Sequence, residues 1–311
     1  MSRERLLAAL SERIGIDSAS LGDRVMDHAL GEAQRQLGLA SLDELATRIA
    51  LDKAAFTELV EQVIVGETWF FRVPQQFDDL VRFARTTGRS RRPLRVLSLP
   101  CASGEEAWSA AIRLREAGLG ADEFEILGID VSPQLVARAT LGEYRGSAMR
   151  IPAARDPWLE PIEGGVVVAP ELRRSVRFRT GNALDPQLFA GEPLFDVAFC
   201  RNLLIYLTRD AREQLLAMLR RALKQPALVL AGQAEVLTAI TTGFVPMPQG
   251  CPLSYLFTEA PAAPRVKLAV GLATSNTAPV ARALERPAAT HLQVAPPASR
   301  QLTGTDTAVL E

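Results

Sequence analysis

The sequence predicts an α/β fold on a mostly parallel sheet, preceded by an all-helical region, and three observations carry that prediction. Short apolar runs of strand length, Leu94–Leu99 and Phe195–Cys200 among them, alternate with segments of helical periodicity. Those runs end in small or polar residues, Cys101-Ala102-Ser103-Gly104 after the first and Arg201-Asn202 after another, where open α/β sheets hold their ligands. Residues 1–72, by contrast, show no strand patterning at all. A chain of 311 residues has room for one large domain and a smaller one.

In order, Arg5–Ile14, Val25–Leu37, Leu42–Ala50 and Ala54–Val65 carry apolar residues at helical spacing, and Ser41 with Glu44 forms a capping signature. Trp69, Phe70 and Phe71 read as a plug of core between two domains. Residues 73–93 hold a helix, Pro74 to about Arg85, and a basic linker. The α/β domain spans 94–260. Leu94–Leu99 is a buried strand and Glu105–Ala117 a helix. Phe124–Gly128 is the second strand, and Pro133–Leu141 a helix with Ser132 as its N-cap. Residues 145–175 break the rhythm with Pro and Gly around a strand-like Gly165–Ala169, which reads as a small β-insertion. Val176–Arg179, Phe195–Cys200 and Ala227–Ala231 continue the sheet, Arg209–Leu223 is helical, and Leu253–Thr258 is a candidate last strand. Residues 261–311, rich in Ala, Pro and Thr, read as a disordered tail.

Composition removes several functions. A net charge of −1 supplies no basic field for nucleic acid. No apolar run reaches membrane-spanning length and Met1–Leu10 has no signal pattern, so the expectation is a cytoplasmic protein without direct membrane insertion. Three Cys, at 101, 200 and 251, match neither a disulfide framework nor a zinc spacing, and Cys101 and Cys200 read as small buried residues. Only two His are present, His28 and His291, neither within the α/β pattern, so no metal site and no His-based acid–base chemistry is expected.

The turn after the first strand carries the chemistry. A helix N-terminus suits phosphate, but Glu105 and Glu106 in its first turn would repel one. They would welcome an ammonium or a sulfonium, and S-adenosylmethionine bears both without phosphate. The alternative is that both glutamates only complement the helix dipole. Asp130 ends the second strand 26 residues past Gly104, where α/β folds hold ribose hydroxyls. Its alternative is an N-capping or surface aspartate.

Three strings, Glu67-Thr68-Trp69-Phe70-Phe71-Arg72, Ala102-Ser103-Gly104-Glu105-Glu106 and Phe199-Cys200-Arg201-Asn202-Leu203-Leu204-Ile205-Tyr206, together resemble the CheR family, chemotaxis-receptor glutamate O-methyltransferases that use S-adenosylmethionine. The resemblance covers about residues 1–260. The wording of Glu12–Asp17 and Ile64–Arg72 looks most like the Wsp-type surface-sensing and biofilm branch, which often carries a tetratricopeptide domain after a linker. It implies a Rossmann-like methyltransferase sheet, S-adenosyl-L-homocysteine as product and no metal. As partner it implies the cytoplasmic domain of a methyl-accepting receptor, with the tail as an attachment point for a tetratricopeptide or other partner. It places cofactor contacts at Thr68, Arg72, Glu106, Asp130, Asn182, Ala183, Arg201 and Asn202, with Tyr206 an aromatic wall near the methyl group. Asp130 would take the ribose, Asn182 and the Ala183 backbone the adenine edge, and Glu106 the methionine amine. Arg72 would hold the cofactor carboxylate or the incoming glutamate, with Arg201 a second guide for that glutamate. The alternative for Arg201-Asn202 is a polar strand end that caps the next helix.

Departures from the family pattern are Ala107 and Trp108 after the glutamates, where Pro and Tyr are usual, and Gly66 in place of Asn. The second long helix offers Arg24 and Arg35 among Asp23, Asp27 and Glu32, rather than a crowd of arginines to dock acidic receptor helices, and residues 1–72 balance eight Lys and Arg against twelve Asp and Glu. Two rival readings are a nucleic-acid or small-molecule methyltransferase and a non-catalytic cofactor-binding regulator of the same fold.

Overall fold

In the computed structural model, residues 2–146, 157–237 and 243–258 are described. The expected tail, 261–311, lies outside them, and the described residues belong to one compact unit, Met1–Ala263. The N-terminal region is helical, as expected: α1 (Ser2–Ile14), a short α2 (Ser18–Leu21), α3 (Asp23–Gln36), α4 (Leu42–Leu51) and α5 (Lys53–Val63). Their apolar stripes close on a core of their own that includes Leu6, Met26, Leu30, Leu45 and Leu59. The capping signature forms: the Glu44 amide donates to Ser41 Oγ at 3.2 Å, and the Glu44 carboxylate accepts from the Ala40 amide at 2.9 Å.

Next come α6 (Pro74–Arg85), β1 (Leu94–Ser98), α7 (Glu105–Glu116), β2 (Phe124–Asp130) and α8 (Pro133–Leu141). A small sheet follows: β3 (Glu143–Arg145), β4 (Leu159–Ile162) and β5 (Gly165–Val168), in spatial order β3-β5-β4. Among the described residues the insertion therefore holds three strands, and it begins just before residue 145. After α9 (Pro170–Arg173) the main sheet resumes with β6 (Val176–Thr180) and β7 (Phe195–Cys200); then come α10 (Arg209–Ala222), β8 (Leu223–Ala231), β9 (Phe244–Pro246) and β10 (Ser254–Phe257). The main sheet runs β6-β2-β1-β7-β8-β10-β9, parallel from β6 to β8 and antiparallel at β10 and β9. Every residue of β1 and β7 is buried, as central parallel strands covered on both faces require. The strand β9 had no counterpart among the expected strands, because three residues at a sheet edge carry too little periodicity to stand out.

The crevice is located by the strand order. From β1 the chain moves to β2 and β6 on one side and later to β7 and β8 on the other, so the loops after β1 and β7 diverge and leave a cleft at the carboxyl ends of the strands. The helical region closes its open side. Asp17 N donates to the Tyr206 carbonyl at 2.8 Å and Thr208 N to the Gly15 carbonyl at 2.8 Å, tying the α1–α2 junction to the segment after β7.

Of the aromatic plug, only Phe70 is fully buried, packed edge-on against Tyr144 at 4.9 Å. Trp69 departs from the expectation: it faces the cleft, with the Arg72 guanidinium 4.3 Å from its ring centroid. The substitution at Trp108 is accommodated inside the fold. Its ring lies against Phe178 at 5.3 Å and its Nε1 donates to the Ala139 carbonyl at 3.2 Å.

Candidate active site

The cleft has two lobes. One encloses about 790 Å³ of empty space and is mostly apolar, walled by Ile14, Ile16, Val63, Leu99, Leu135 and Leu207, with Asp130, Asn182, Ala183 and Tyr206 on its margin. The other, about 460 Å³, is polar and carries Thr68, Trp69, Arg72, Glu106 and Arg201. Val65, Pro100, Ala102 and Asn202 line both and so mark their junction. All nine residues expected from the sequence thus border one continuous cleft, although they come from segments as far apart as residues 68 and 206.

The turn after β1 is shaped for close approach. Gly104 has φ of +95°, and a Cβ there would come within 2.7 Å of the Ala139 Cβ. Ala102 follows β1 with φ of +46°, a conformation that an L residue holds at some cost. Its amide is fixed by Asp130 Oδ2, which accepts at 2.9 Å, while Oδ1 accepts from Ser132 N at 3.0 Å. Asp130 is 4% exposed, which removes the surface alternative, and Ser132 itself caps α8 through Leu135 N at 2.9 Å. Burial raises the Asp130 pKa above the ordinary value, partly offset by those two amides.

The glutamate pair divides. Glu105 turns inward, accepting from Ser103 Oγ at 2.8 Å, and lines neither lobe. Glu106 borders the polar lobe: Oε1 accepts from Ser98 Oγ at 2.7 Å, and Oε2 pairs with Arg201 Nη1 at 3.2 Å. Burial raises its pKa, against the pull of Arg201, Ser98 and Arg72. Arg201, 6% exposed, also donates through Nη2 to the Arg72 carbonyl at 2.7 Å. It is thus anchored by two hydrogen bonds while still bordering the polar lobe, where the expectation makes it a second guide for an incoming glutamate. Arg72 is less constrained, half-buried, with Nη1 on the Glu67 carbonyl at 3.1 Å.

Two further expectations shift in detail. The Asn182 side chain is engaged by the protein itself: Nδ2 donates to the Arg13 carbonyl at 2.6 Å and Oδ1 accepts from Leu184 N at 2.9 Å. Its amide is thus already paired within the protein, although Asn182 and Ala183 both border the apolar lobe. Tyr206 borders the apolar lobe and not the polar one. The capping alternative for Arg201-Asn202 is not realised, since Thr208 caps α10 through Ala211 N at 3.3 Å. Gly66 packs against Leu135, whose side chain a Cβ would meet at 3.1 Å, so apolar closure takes the place of the polar group that an Asn would bring there.

The sequence reading missed Ser98, which holds Glu106, and Glu61, which accepts from Ser132 Oγ at 2.5 Å and Gln134 N at 3.1 Å and so braces the loop beyond Asp130 from α5. It also gave no role to Glu235, 1% exposed. A charged residue just past the end of an apolar strand, three residues after a glycine, was the available signal. The thiols of Cys101 and Cys200 have pKa values pushed well up by burial, consistent with small core residues and not with nucleophiles.

These residues fit S-adenosylmethionine better than a nucleoside phosphate. An apolar lobe suits an aromatic base, a carboxylate at the junction side suits a ribose diol, and a buried carboxylate beside arginines suits a zwitterionic amino-acid end. The comparisons agree. Residues 66–250 match the family described as CheR methyltransferase, SAM binding domain. The chain is 38% identical over 288 residues to the probable biofilm formation methyltransferase WspC of Pseudomonas aeruginosa, covering 91% of this chain and 68% of that protein. To WspC of Pseudomonas putida it is 35% identical, covering 85% and 63%. The chain thus spans about two thirds of the length of these two relatives. To the chemotaxis protein methyltransferase of Salmonella typhimurium it is 27% identical, covering 77% of this chain and 85% of the other. The chain belongs to the CheR methyltransferase family.

Proposed function

We propose that the protein is a cytoplasmic glutamate O-methyltransferase that acts on the cytoplasmic domain of a methyl-accepting receptor in chemosensory or biofilm signalling. The observation that carries this reading is the buried Glu106–Arg201 pair at the floor of a polar lobe that opens directly into the apolar one. When bound, S-adenosylmethionine supplies an electrophilic methyl on a sulfonium sulfur. That methyl would pass to an acceptor carboxylate oxygen with the electron pair of its bond to sulfur left on sulfur, so the residues holding the two reactants would have no proton to move.

A glutamate is already ionised at neutral pH, so the protein has no base to provide, in keeping with a cleft whose described lining residues include no histidine. What the chain supplies is alignment, and pre-positioning two reactants removes about 7–11 kcal/mol of a barrier. Asp130 orients the sugar, Glu106 the amine, and Thr68 with Arg72 the carboxylate end. Arg72, stacked on Trp69, is also the arginine with freedom to steer an incoming carboxylate. On the outer face of α3, Arg35 pairs with Glu32, and Asp23 and Asp27 are taken by Arg3. That face is nearly neutral, so receptor docking in this reading rests on the β-insertion or on a partner.

The test is a methyl-transfer assay with radiolabelled S-adenosylmethionine and purified receptor cytoplasmic fragments. Base-labile label on a fragment supports the proposal. Label on RNA or on a small molecule, or cofactor binding with no transfer to any receptor fragment, overturns it.

A further inference from the structure

A single carboxylate organises the loop after β7. Glu235 lies beyond the end of β8, and both of its oxygens are saturated with backbone donors. Oε2 accepts from Gly232 N at 2.7 Å and Asn202 N at 2.8 Å. Oε1 accepts from Leu203 N at 2.8 Å and Leu204 N at 2.7 Å. Three successive amides of one loop thus converge on one buried anion, 1% exposed. The arrangement is that of an anion nest, with the anion supplied by the chain itself.

The loop needs this restraint. Asn202 holds φ of +58°, and no regular element stabilises residues 201–203. Asn202 lines both lobes of the cleft, and Arg201 immediately before it is the partner of Glu106. Gly232 makes room for the contact: a Cβ there would stand 2.5 Å from Glu235 Oε2 and 2.7 Å from Asn202 N. We propose that Glu235 is a positioning residue whose carboxylate draws the 202–204 amides together, and thereby sets Arg201 and Asn202 in the geometry that binds S-adenosylmethionine. The proposal rests on the cofactor reading above and adds a residue that touches no ligand.

Glu235→Gln tests it with almost no change of volume. The amide would turn a donor toward two backbone donors, leaving buried groups unsatisfied, so affinity for S-adenosylhomocysteine should fall by about tenfold while the protein stays folded. Asp196→Asn is the control. Asp196 is equally buried at the opposite end of the sheet, accepting from Arg95 N at 2.9 Å and Lys224 Nζ at 2.9 Å. That variant should melt earlier yet bind within twofold of the wild type, separating lost stability from lost positioning. Gly232→Ala should weaken binding in the same way as Glu235→Gln. A folded Glu235→Gln protein that binds within twofold of the wild type overturns the proposal.

Hydrogen exchange on the unaltered full chain decides the matter if the variants do not fold. The amides of Asn202, Leu203 and Leu204 should exchange as slowly as those of the central strands, without any ligand present. Exchange at the rate of an unstructured peptide overturns the proposal. If the wild type fails to bind S-adenosylhomocysteine, the cofactor reading falls, and the exchange rates still show whether Glu235 holds the loop.

Discussion

Replacing Glu106 by Gln tests the centre of the site with the smallest change of shape. In the native cleft the carboxylate is 9% exposed and shared between Ser98 and Arg201. Gln retains an oxygen for the Ser98 hydroxyl, but its amide nitrogen cannot accept from Arg201 or from a ligand ammonium. Two costs follow. Arg201 keeps its charge in a buried place without a counter-ion, a loss that runs to about 3–5 kcal/mol when a buried pair is broken. A value near 3 kcal/mol, at the low end because the lobe is open to water, corresponds to a Tm drop of about 5–10 °C. The ligand amine loses a charge-assisted hydrogen bond worth about 1.5–3 kcal/mol, so affinity for S-adenosylhomocysteine falls by roughly 10- to 150-fold. Adding Arg201→Met separates the two. With no orphaned charge left, stability should largely return while affinity stays low. Titration calorimetry and thermal melts on the wild type and these variants read both quantities. A Glu106→Gln protein that melts early but binds within twofold of the wild type would refute the argument, because Glu106 would then be only a structural partner of Arg201.

Three other outcomes follow from the same geometry. Arg72→Ala should lower turnover more than S-adenosylhomocysteine affinity, since Thr68 and Glu106 still hold the amino-acid end of the cofactor while the acceptor loses its steering arginine; equal losses in single-turnover rate and calorimetric affinity would count against a role in steering the acceptor. Trp69→Ala removes the stacking partner of Arg72, worth about 0.5–2 kcal/mol, and should reduce turnover several-fold with little change in Tm. The pH dependence has two opposite signs. Because burial raises the pKa values of Glu106 and Asp130, both bind a proton more tightly in the folded, unliganded protein than in the unfolded chain. Their contribution to stability is present below the unfolded values and is lost as pH rises through the folded ones. Binding of an ammonium-bearing ligand needs Glu106 ionised, so affinity should fall on acidification at a pH above the ordinary glutamate value of 4.5. Calorimetry across pH, with Glu106→Gln as the flat reference, checks this; a wild-type profile as flat as the variant's would contradict it.

Much of the fold was legible in the residues themselves. Predominantly apolar runs such as Leu94–Ser98 and Phe195–Cys200, each holding one charged residue near its start, show no polar–apolar alternation and so announce central parallel strands, and Ser41 and Ser132 mark helix starts because their hydroxyls satisfy otherwise orphaned amides. Glu106 and Asp130 stood out for different reasons: Glu106 because a carboxylate in the first turn of a helix after a small-residue turn repels phosphate and suits a cation, Asp130 because it ends the second strand of an α/β pattern. Less was readable where a role depends on an atom's neighbours. Nothing local separates Glu105, turned into Ser103, from Glu106, turned into the cleft, since that choice is made by helix orientation and by Ser98 on the adjoining strand.

The sequence alone therefore determined the class of fold, the end of the sheet where the cleft lies and the chemical character of the groups that border it, because these follow from periodicity and from the cost of burying charge. Only the tertiary structure decided that the helical region walls the apolar lobe through Ile14, Ile16 and Val63, that Arg201 is anchored by two hydrogen bonds while Arg72 stays half-buried, and that Glu235 gathers the loop after β7. Those are contacts between residues far apart in the chain, set by packing and hydrogen-bond geometry that no local pattern encodes.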